Sequence, residues 1–568
     1  MSFRTSLILS LVVLGAALMR FWGLDFGLPN LQCRPDETGI VIKALAFFGG
    51  DLNPHFFRYP TLYFYLLALV FAVYMLGCLM LGATSATLLV DIAMDPSVYV
   101  LISRGVSASL GTLTVLAVFW LARRLAGERV GLVAAFLMGA CYLHVRESHF
   151  GLTDVAMTLL IVCSMGFVWA VYQRGNRCDY VLAGLLTGLS ASTKYAGIFL
   201  IAPMCIAHVK LWMAKREEFE PQTLFGVLKD RNIYGYGLCT VVGFVALTPF
   251  AVLDFTTFWH DVMAESLHLD EGHAGLSVGL GWGYHAFHTL PGGVGWPVLS
   301  GAIFGFLVLL RRDIWQAAVL GAFPIVFYLV AGKGQTVFVR YMVPVLPFVC
   351  VFCAVGLNAV VARFSIRESV SNWALIVLCL VVSGPSVYRT LYLDRLLALD
   401  DSRVVAARWV EDHVPEGHTI YQSGTGWAHA QLIPSVATLE SRLVRQQQAG
   451  KQGRLLQTQI DQVRAGVRSH AGYEILDYDP DDPIWEKTDL PAYVVLYESP
   501  LNVYTPLPKG LTDWVGTHYK MVEQIVGVGQ DTRAWFDQLD AFFVPYTGLD
   551  SATRTGPDVR IYFLDSAK

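Results

Sequence analysis

Charge is scarce in this sequence. Only 15% of its 568 residues are Asp, Glu, Lys or Arg, against about 25% in a typical soluble protein, and 55% are hydrophobic. The net charge of −4 is too small to indicate a nucleic-acid partner. Such a composition requires lipid as the solvent for much of the chain, so an entirely soluble protein is excluded.

Cysteine is almost missing from the segments that we expect outside the membrane. Nine of the ten cysteines lie in or beside apolar runs, and Cys33 alone falls in a predicted outer loop. Residues 393–568 contain none. The sequence therefore predicts neither a disulfide framework nor a C-x-x-C zinc site outside the membrane.

Long apolar runs fill residues 1–392. At about 20 residues a crossing they give about twelve spans, and a hairpin near Gly77 or Gly82 that splits residues 60–94 gives about thirteen. The split is needed because Lys and Arg recur in every second connector from residue 123 onward, and positive connectors mark the cytoplasmic side. We therefore predict a polytopic α-helical membrane domain with loop 28–59 on the outer side.

Residues 393–568 have the composition of a small soluble α/β domain, which the same topology places outside. The pattern "DDSRVVAARWVEDH" predicts an amphipathic helix, "HTIYQSG", "AYVVLYES" and "DVRIYFLD" predict strands, and residues 441–470 predict a polar helix. We expect an integral membrane protein, in a bacterial inner (plasma) membrane or in another membrane with the same topology.

The first outer loop carries an acidic pair at the membrane surface. Asp36 and Glu37 precede residues 38–48, whose apolar face at helical spacing predicts a helix lying in the interface, ended by Gly49 and Gly50. A carboxylate at this position can act as general base for an acceptor hydroxyl or amine.

Basic residues recur at the same outer face. Ionisable groups near membrane depth indicate a functional site, although Arg and Lys also simply anchor helix ends. Arg58, Lys194 and Arg340 could bind an anionic phosphate leaving group. Further candidates for contact with a donor or an acceptor are Tyr59, Arg146, His149 and Tyr341, and Asp154 is a second acid.

Several motifs, in this order, resemble the C-type glycosyltransferase superfamily, and within it the glycosyltransferase family 39-like group of protein O-mannosyltransferases and lipid A aminoarabinose transferases. After the Asp36-Glu37 pair they read "HFFRYPTLYFYLLAL", "SRGVSASLGTLTVLAVFWLARRLAG", "RESHFGLTDVAMTLL", "GLLTGLSASTKYAGIFLIAP" and "RYMVPVLPF". The Trp-Trp-Asp signature of oligosaccharyltransferases is absent from residues 393–568.

The resemblance implies roles for individual residues. Asp36 would be the catalytic base or acceptor-orienting acid, with Glu37 beside it, and Asp154 would face the same cavity. Arg340, in the late Arg-Tyr motif, would bind the donor phosphate. Arg58 lies one residue from the family's phosphate-binding Lys, because this chain reads Arg-Tyr-Pro.

A histidine-rich stretch lies in the predicted outer loop 254–293. His260, His268, Asp270, Glu271 and His273 could hold a metal ion, His268 and His273 could contact donor or acceptor, or the stretch could be a plain polar loop. The H-x-D-E-x-H spacing is not the helical H-E-x-x-H pattern, and the nearby glycines argue against a regular helix. No cofactor is certain, and a divalent cation stays open.

The sequence therefore predicts an integral-membrane glycosyltransferase that moves a hexosyl or pentosyl unit from a polyprenyl-phosphate donor. The acceptor would be a protein hydroxyl, a lipid or an envelope glycan on the outer side. The alternative is a transporter or flippase for a lipid-linked sugar, which predicts internal repeats and charges near the bilayer midplane.

Overall fold

A computed structural model describes most of the chain and divides it into two units. The described residues are 2–218, 227, 230–273, 276–364, 367–448, 450, 453–467, 470–487, 489–529 and 533–565. The first unit comprises Met1–Trp22, Ile40–Leu69 and Ser103–Leu391, and the second comprises Gly23–Gly39, Val70–Ile102 and Tyr392–Lys568. The second unit thus includes two segments that the sequence assigned to the membrane domain 1–392.

The helices follow one another along the chain with short connections. The first are α1 (Phe3–Phe21), α2 (Pro35–Ala46), α3 (Leu62–Met80), α4 (Ser85–Met94), α5 (Ser97–Ala126), α6 (Glu128–Gly139), α7 (Tyr142–Ser148), α8 (Thr153–Arg174), α9 (Arg177–Thr193) and α10 (Ile201–Glu218). They continue with α11 (Arg231–Leu247), α12 (Phe250–Leu253), α13 (Phe255–Glu271), α14 (Gly281–Tyr284), α15 (Leu290–Val294), α16 (Trp296–Arg312), α17 (Ile314–Ala331), α18 (Leu346–Ala362) and α19 (Glu368–Leu397).

Short 3-10 and π segments connect several of these helices. The 3-10 segments are Leu31–Cys33, Phe47–Gly49, Tyr195–Leu200 and Val339–Val345, and His285–Thr289 is a π-helix. The helix predicted at residues 38–48 is confirmed as α2 with its 3-10 extension, and it ends at Gly50, whose φ is +92°.

The polytopic helical class predicted from the sequence is confirmed. Within the described residues, eight helices are long and apolar enough to cross a membrane, or up to ten if each of two bent pairs forms one span. That criterion requires at least 18 residues. It leaves out α9 and α11, with 17 residues each, which the sequence count of about thirteen included.

The predicted division of residues 60–94 into two helices with a turn near Gly82 is confirmed, but the prediction that both helices cross the membrane is wrong for the second. The helix α3 alone has 19 residues, and the chain then turns at Gly82, whose φ is +101°. The following helix α4 has 10 residues, which reach only about 15 Å of a hydrocarbon core about 30 Å thick.

Small residues bring α9 and α11 into close contact in the first unit. A Cβ atom at Gly184 or Gly188 would clash with the carbonyl oxygen of Tyr236 or Thr240 on α11. Close backbone approach through small residues is a common way for helices to pack in membranes. These glycines therefore fix the distance between α9 and α11. The last residue of α9, Thr193, directly precedes Lys194.

The second unit contains the predicted α/β domain. Its helices are α20 (Ser402–His413), α21 (Val436–Gln448), α22 (Arg454–Arg464) and α23 (Leu511–His518), with short 3-10 helices Ile484–Glu486 and Leu549–Ser551. Its strands are β1 (Thr419–Gln422), β2 (Glu474–Asp477), β3 (Tyr493–Glu498), β4 (Tyr519–Ile525) and β5 (Asp558–Leu564).

These strands form one sheet in the order β2-β1-β3-β5-β4. The strands β2, β1 and β3 are parallel, whereas β5 is antiparallel to β3 and to β4. Apolar side chains of β1, β3 and β5, among them Ile420, Val495 and Ile561, are buried in its core together with α20. The polar helix predicted over residues 441–470 is instead two helices, α21 and α22, on either side of Gly453.

Candidate active site

A cavity of about 420 Å³ in the first unit contains most of the predicted donor-binding residues. Its polar lining is Arg58, Tyr59, Asp154, Lys194, Tyr195, Glu265, Ser266, Asp270, Lys333 and Tyr341. Its apolar lining includes Met157, Ile198, Phe199, Leu269, Phe327, Val330 and Ala331. One cavity thus offers charged groups for a head group and an apolar wall from α17 and the 3-10 helix Tyr195–Leu200.

An ion pair stands in the middle of the polar lining. The Lys194 ammonium donates a hydrogen bond of 2.7 Å to Oδ1 of Asp154, and 18% of the lysine side chain and 4% of the aspartate side chain are exposed. Asp154 lies in the first turn of α8 and Lys194 directly follows α9. The packing of these two helices therefore determines the distance between the two charges.

Two aromatic rings face the same ammonium. The Lys194 nitrogen lies 5.1 Å from the centroid of the Tyr341 ring and 6.0 Å from that of Tyr59. A cation within about 6 Å of a ring face is attracted by the ring quadrupole. Asp154 and the two tyrosines thus hold Lys194 at the cavity wall, where an incoming anion could share its charge.

The segment that returns from the outer loop to α3 is anchored directly before Arg58. The Phe57 N–H donates to the Asp261 carboxylate at 2.7 Å, and the Tyr195 hydroxyl donates to the Phe57 carbonyl at 2.6 Å. Lys43 on α2 lies 4.3 Å from the Phe56 ring. Burial lowers the pKa of Lys43, although the charge of Asp261 raises it. Arg58, by contrast, is exposed at the cavity.

Arg340 occupies the 3-10 segment just before Tyr341. Its side chain is buried, and the guanidinium carbon lies 4.1 Å from the Phe338 ring centroid. The predicted Arg-Tyr pair is therefore divided between two surroundings, because Tyr341 lines the cavity and Arg340 packs on an aromatic ring.

Arg146 and His149 lie in a buried layer at α7. The Arg146 guanidinium pairs with the neighbouring Glu147 carboxylate, and both side chains are 1% exposed. The ring nitrogens of His149 lie 2.9 Å from the Val145 carbonyl and 3.0 Å from the Trp22 carbonyl. These contacts favour a structural role for both residues over the contact with donor or acceptor that we predicted.

Asp36 and Glu37 belong to the second unit, whereas the cavity belongs to the first. Both acids stand in the first turn of α2, where the positive end of the helix dipole favours negative charge. Asp36 is half-buried and Glu37 is buried. Asp36 is therefore the more accessible of the two to an acceptor.

The histidine-rich stretch is more regular than the sequence suggested. Residues Phe255–Glu271 form α13, which contains His260 and His268, because the glycines begin only at Gly272, where φ is +89°. The rings of His268 and His273 stand 5.2 Å apart, edge to face. Among the described residues, no group of three or more His, Cys, Asp or Glu side chains could hold a metal ion.

Sequence reasoning missed two charged residues of the cavity, Glu265 and Lys333. Lys333 follows α17 in the stretch "AGKGQ", so a lysine between two glycines at the outer end of an apolar run was an available signal. Glu265 lies on α13, and a prediction of this helix would have brought it to notice.

A family model and several solved structures resemble this chain. The model described as dolichyl-phosphate-mannose-protein mannosyltransferase matches residues 86–227, which is 142 of the 568 residues. The matched part contains three of the motifs that suggested the resemblance, from "SRGVSASLG" to "GLLTGLSASTKYAG". No curated protein sequence matches the chain.

Among solved structures, apo ArnT from Cupriavidus metallidurans has a TM-score of 0.52 at 14% identity, over 99% of this chain and 98% of ArnT. ArnT bound to undecaprenyl phosphate has a TM-score of 0.49 at 15% identity, over 98% of both chains. The Archaeoglobus fulgidus oligosaccharyltransferase has a TM-score of 0.47 at 13% identity over 74% of this chain. This chain spans only 62% of that enzyme's length. The resemblance to C-type glycosyltransferases and the fold predicted from the motifs are confirmed.

Proposed function

We propose that this protein is an integral-membrane glycosyltransferase that moves a single sugar from a polyprenyl-phosphate donor to an acceptor on the outer side of the membrane. The cavity around the Lys194–Asp154 pair is the observation that carries the proposal. A polyprenyl-phosphate sugar joins a long apolar chain to an anionic head, and the cavity joins an apolar wall to cationic side chains.

We assign the phosphate to the basic side chains of the cavity lining. Lys194, Lys333 and the exposed Arg58 supply three positive charges to the lining, beside the carboxylates of Asp154, Glu265 and Asp270. Fixed cations near the leaving phosphate stabilise the negative charge that develops there in the transition state. The undecaprenyl phosphate bound by ArnT of Cupriavidus metallidurans is a ligand of the same chemical class. Arg340, which the resemblance assigns to the phosphate, is kept as a weaker candidate because of its buried position on Phe338.

In the reaction that we propose, an acceptor oxygen or nitrogen attacks the anomeric carbon of the donor. The bond between that carbon and the phosphate oxygen breaks, and polyprenyl phosphate leaves with the electron pair. Asp36 takes the proton of the acceptor, with Glu37 beside it, and Asp154 holds Lys194 in place. Inversion at the anomeric carbon by this single displacement follows from the family resemblance.

Transfer by the purified protein tests the proposal. The protein in detergent is incubated with radiolabelled polyprenyl-phosphate sugars and a cell-envelope extract, and label in protein, lipid and glycan fractions is counted separately. We expect label in one fraction, which also identifies the acceptor class. No transfer from any donor, together with movement of a lipid-linked sugar across proteoliposomes, would overturn the proposal in favour of a flippase.

A further inference from the structure

The segment Gly23–Gly39, which contains Asp36 and Glu37, contacts the C-terminal domain at several points. Both belong to the second unit. The segment begins in close contact with the end of α19, because a Cβ atom at Gly23 would lie 3.0 Å from the backbone of Leu397 and Ala398. Further along, Phe26 packs edge to face on Phe542 with 5.7 Å between ring centroids.

Residues 30–32 are held through their backbone and one amide. The Asn30 amide donates to the His429 carbonyl at 2.9 Å, and the Leu31 N–H donates to the Gln431 side chain at 3.0 Å. The fully buried Arg403 donates to the Trp427 carbonyl at 2.7 Å and to the Gln32 carbonyl at 3.4 Å. Directional bonds of this kind fix orientation as well as position.

Arg403 is itself held in place by a second group. Asp401 accepts two hydrogen bonds from the Arg403 guanidinium, at 2.8 and 3.0 Å. Burial raises the pKa of Asp401, but the charge and hydrogen bonds of Arg403 outweigh it, so that the pKa lies below its usual range. The bidentate pair thus aims the remaining N–H groups of Arg403 at the Trp427 and Gln32 carbonyls.

A buried ion pair follows at Arg34. Its guanidinium donates to Asp540 at 2.6 Å, with 0% and 6% of the two side chains exposed, and it lies 5.0 Å from the Phe542 ring centroid. Removal of one partner of a buried ion pair leaves an uncompensated charge, so such contacts hold their geometry tightly.

Two further hydrogen bonds connect this segment to the turn that contains the acidic pair. The Glu37 N–H donates to the Arg34 carbonyl at 3.2 Å, and the Thr38 hydroxyl donates to the Leu31 carbonyl at 2.9 Å. The first turn of α2 is therefore tied to Leu31 and Arg34, the residues that the C-terminal domain holds.

The place of attachment is also informative. Residues 423–431 follow β1, which has β2 on one side and β3 on the other, so the chain connections leave in opposite directions there. In open α/β sheets the crevice at this point is where ligands usually bind. Here Asn30 and Leu31 bind to the loop, through His429 and Gln431.

We propose that the C-terminal domain positions the acidic pair, with Arg34 and Asp540 as positioning residues for Asp36 and Glu37. The loop after β1, a usual ligand site, serves here to hold the chain's own first outer loop. The inference rests on the proposed function in so far as Asp36 is the base of the reaction.

Three variants and two readouts test this inference. Asp540→Asn removes one charge partner of Arg34, Gln431→Ala removes one hydrogen bond with little risk to folding, and Asp540→Glu restores the charge. Arg560→Met is the matched control, because it breaks the Arg560–Glu498 pair of the same sheet. Steady-state transfer gives kcat and the donor KM, and hydrogen exchange measures the protection of residues 28–39 in the full-length protein.

We expect Asp540→Asn to lower kcat by about 10- to 100-fold, the size of effect that misplacement by about 1 Å can have. The donor KM should stay within about twofold, Asp540→Glu should recover part of kcat, and exchange in residues 28–39 should quicken in Asp540→Asn and Gln431→Ala. The inference is overturned if Asp540→Asn keeps the wild-type kcat, if residues 28–39 exchange at the wild-type rate in Asp540→Asn and Gln431→Ala, or if Arg560→Met loses as much kcat as Asp540→Asn. Exchange decides it even if the wild type transfers no sugar, a result that would reject the proposed function alone.

Discussion

At the scale of single residues, the pair of Lys194 and Asp154 is the centre of the account. Each charge is mostly buried at the end of a helix, and each is satisfied by the other at 2.7 Å. Asp154 accepts from one of the three N–H donors of the Lys194 ammonium, so the other donors can bind an incoming anion. A donor phosphate that enters the cavity would use them without breaking the pair.

Lys194→Met therefore should reduce kcat/KM for the donor by about 10- to 100-fold, since a hydrogen bond to a charged group contributes about 1.5–3 kcal/mol. Lys194→Arg should keep part of the activity. Lys210→Met is the control. Lys210, on α10, lies over the ring of Tyr172, on α8, and is not among the residues that line the cavity. Equal kcat/KM for the donor in wild type and Lys194→Met would show that Lys194 does not bind the phosphate.

At the scale of elements, the sequence predicted the helices and strands that hydrophobic periodicity indicates and the helix end that glycine marks. The helix after Asp36, its end at Gly50, and the strands at β1, β3 and β5 all follow local patterns, and the structure confirms them. The middle of β4 has no regular alternation of buried and exposed residues. A period-two pattern therefore did not distinguish this strand from a loop. β2 has four residues like β1, but it buries only Ile475, whereas β1 buries three of its four residues, so β2 has less apolar signal.

The candidate site shows the same limit. Arg58, Lys194, Asp154 and Tyr341 were predicted because each stands at an outer end of an apolar run, and all four line one cavity. Glu265 and Lys333 were not predicted, since their place in the lining depends on how α13 and α17 pack. Arg146 was predicted to contact the donor or the acceptor. The sequence alone did not show that its side chain is buried and paired with the adjacent Glu147.

The contact between α9 and α11 offers a test at this scale. Gly188→Val would place a side chain against the carbonyl of Thr240 and should lower the thermal midpoint of the protein in detergent, since overpacking typically costs about 1–3 kcal/mol. Gly237→Val on α11 is the matched control, because a Cβ atom at Gly237 meets nothing within 4 Å. A smaller loss of stability in Gly188→Val than in Gly237→Val would contradict the packing.

At the scale of the whole molecule, the account depends on which side of the membrane each part faces. Positive connectors predict that the C-terminal domain is outside and that the connector before α9 is inside. The chain supplies its own reporters, because Cys178 is exposed at that connector and residues 393–568 have no cysteine.

Thiol labelling with a membrane-impermeant maleimide checks this topology. In a background without other cysteines, Asp513→Cys on the exposed face of α23 should react in intact cells. A variant that keeps only Cys178 should react only after the membrane is permeabilised. Labelling of Cys178 but not of residue 513 in intact cells would invert the topology and place the proposed reaction on the inner side.

The measurement that tests the central claim most directly is sugar transfer by Asp36→Asn beside the wild type, with Asp25→Asn as the control for an exposed acid of the same segment. If Asp36 is the base, Asp36→Asn should lose about 10²-fold or more of kcat, while Asp25→Asn should transfer at the wild-type rate. Equal rates in Asp36→Asn and the wild type would show that Asp36 is not the base.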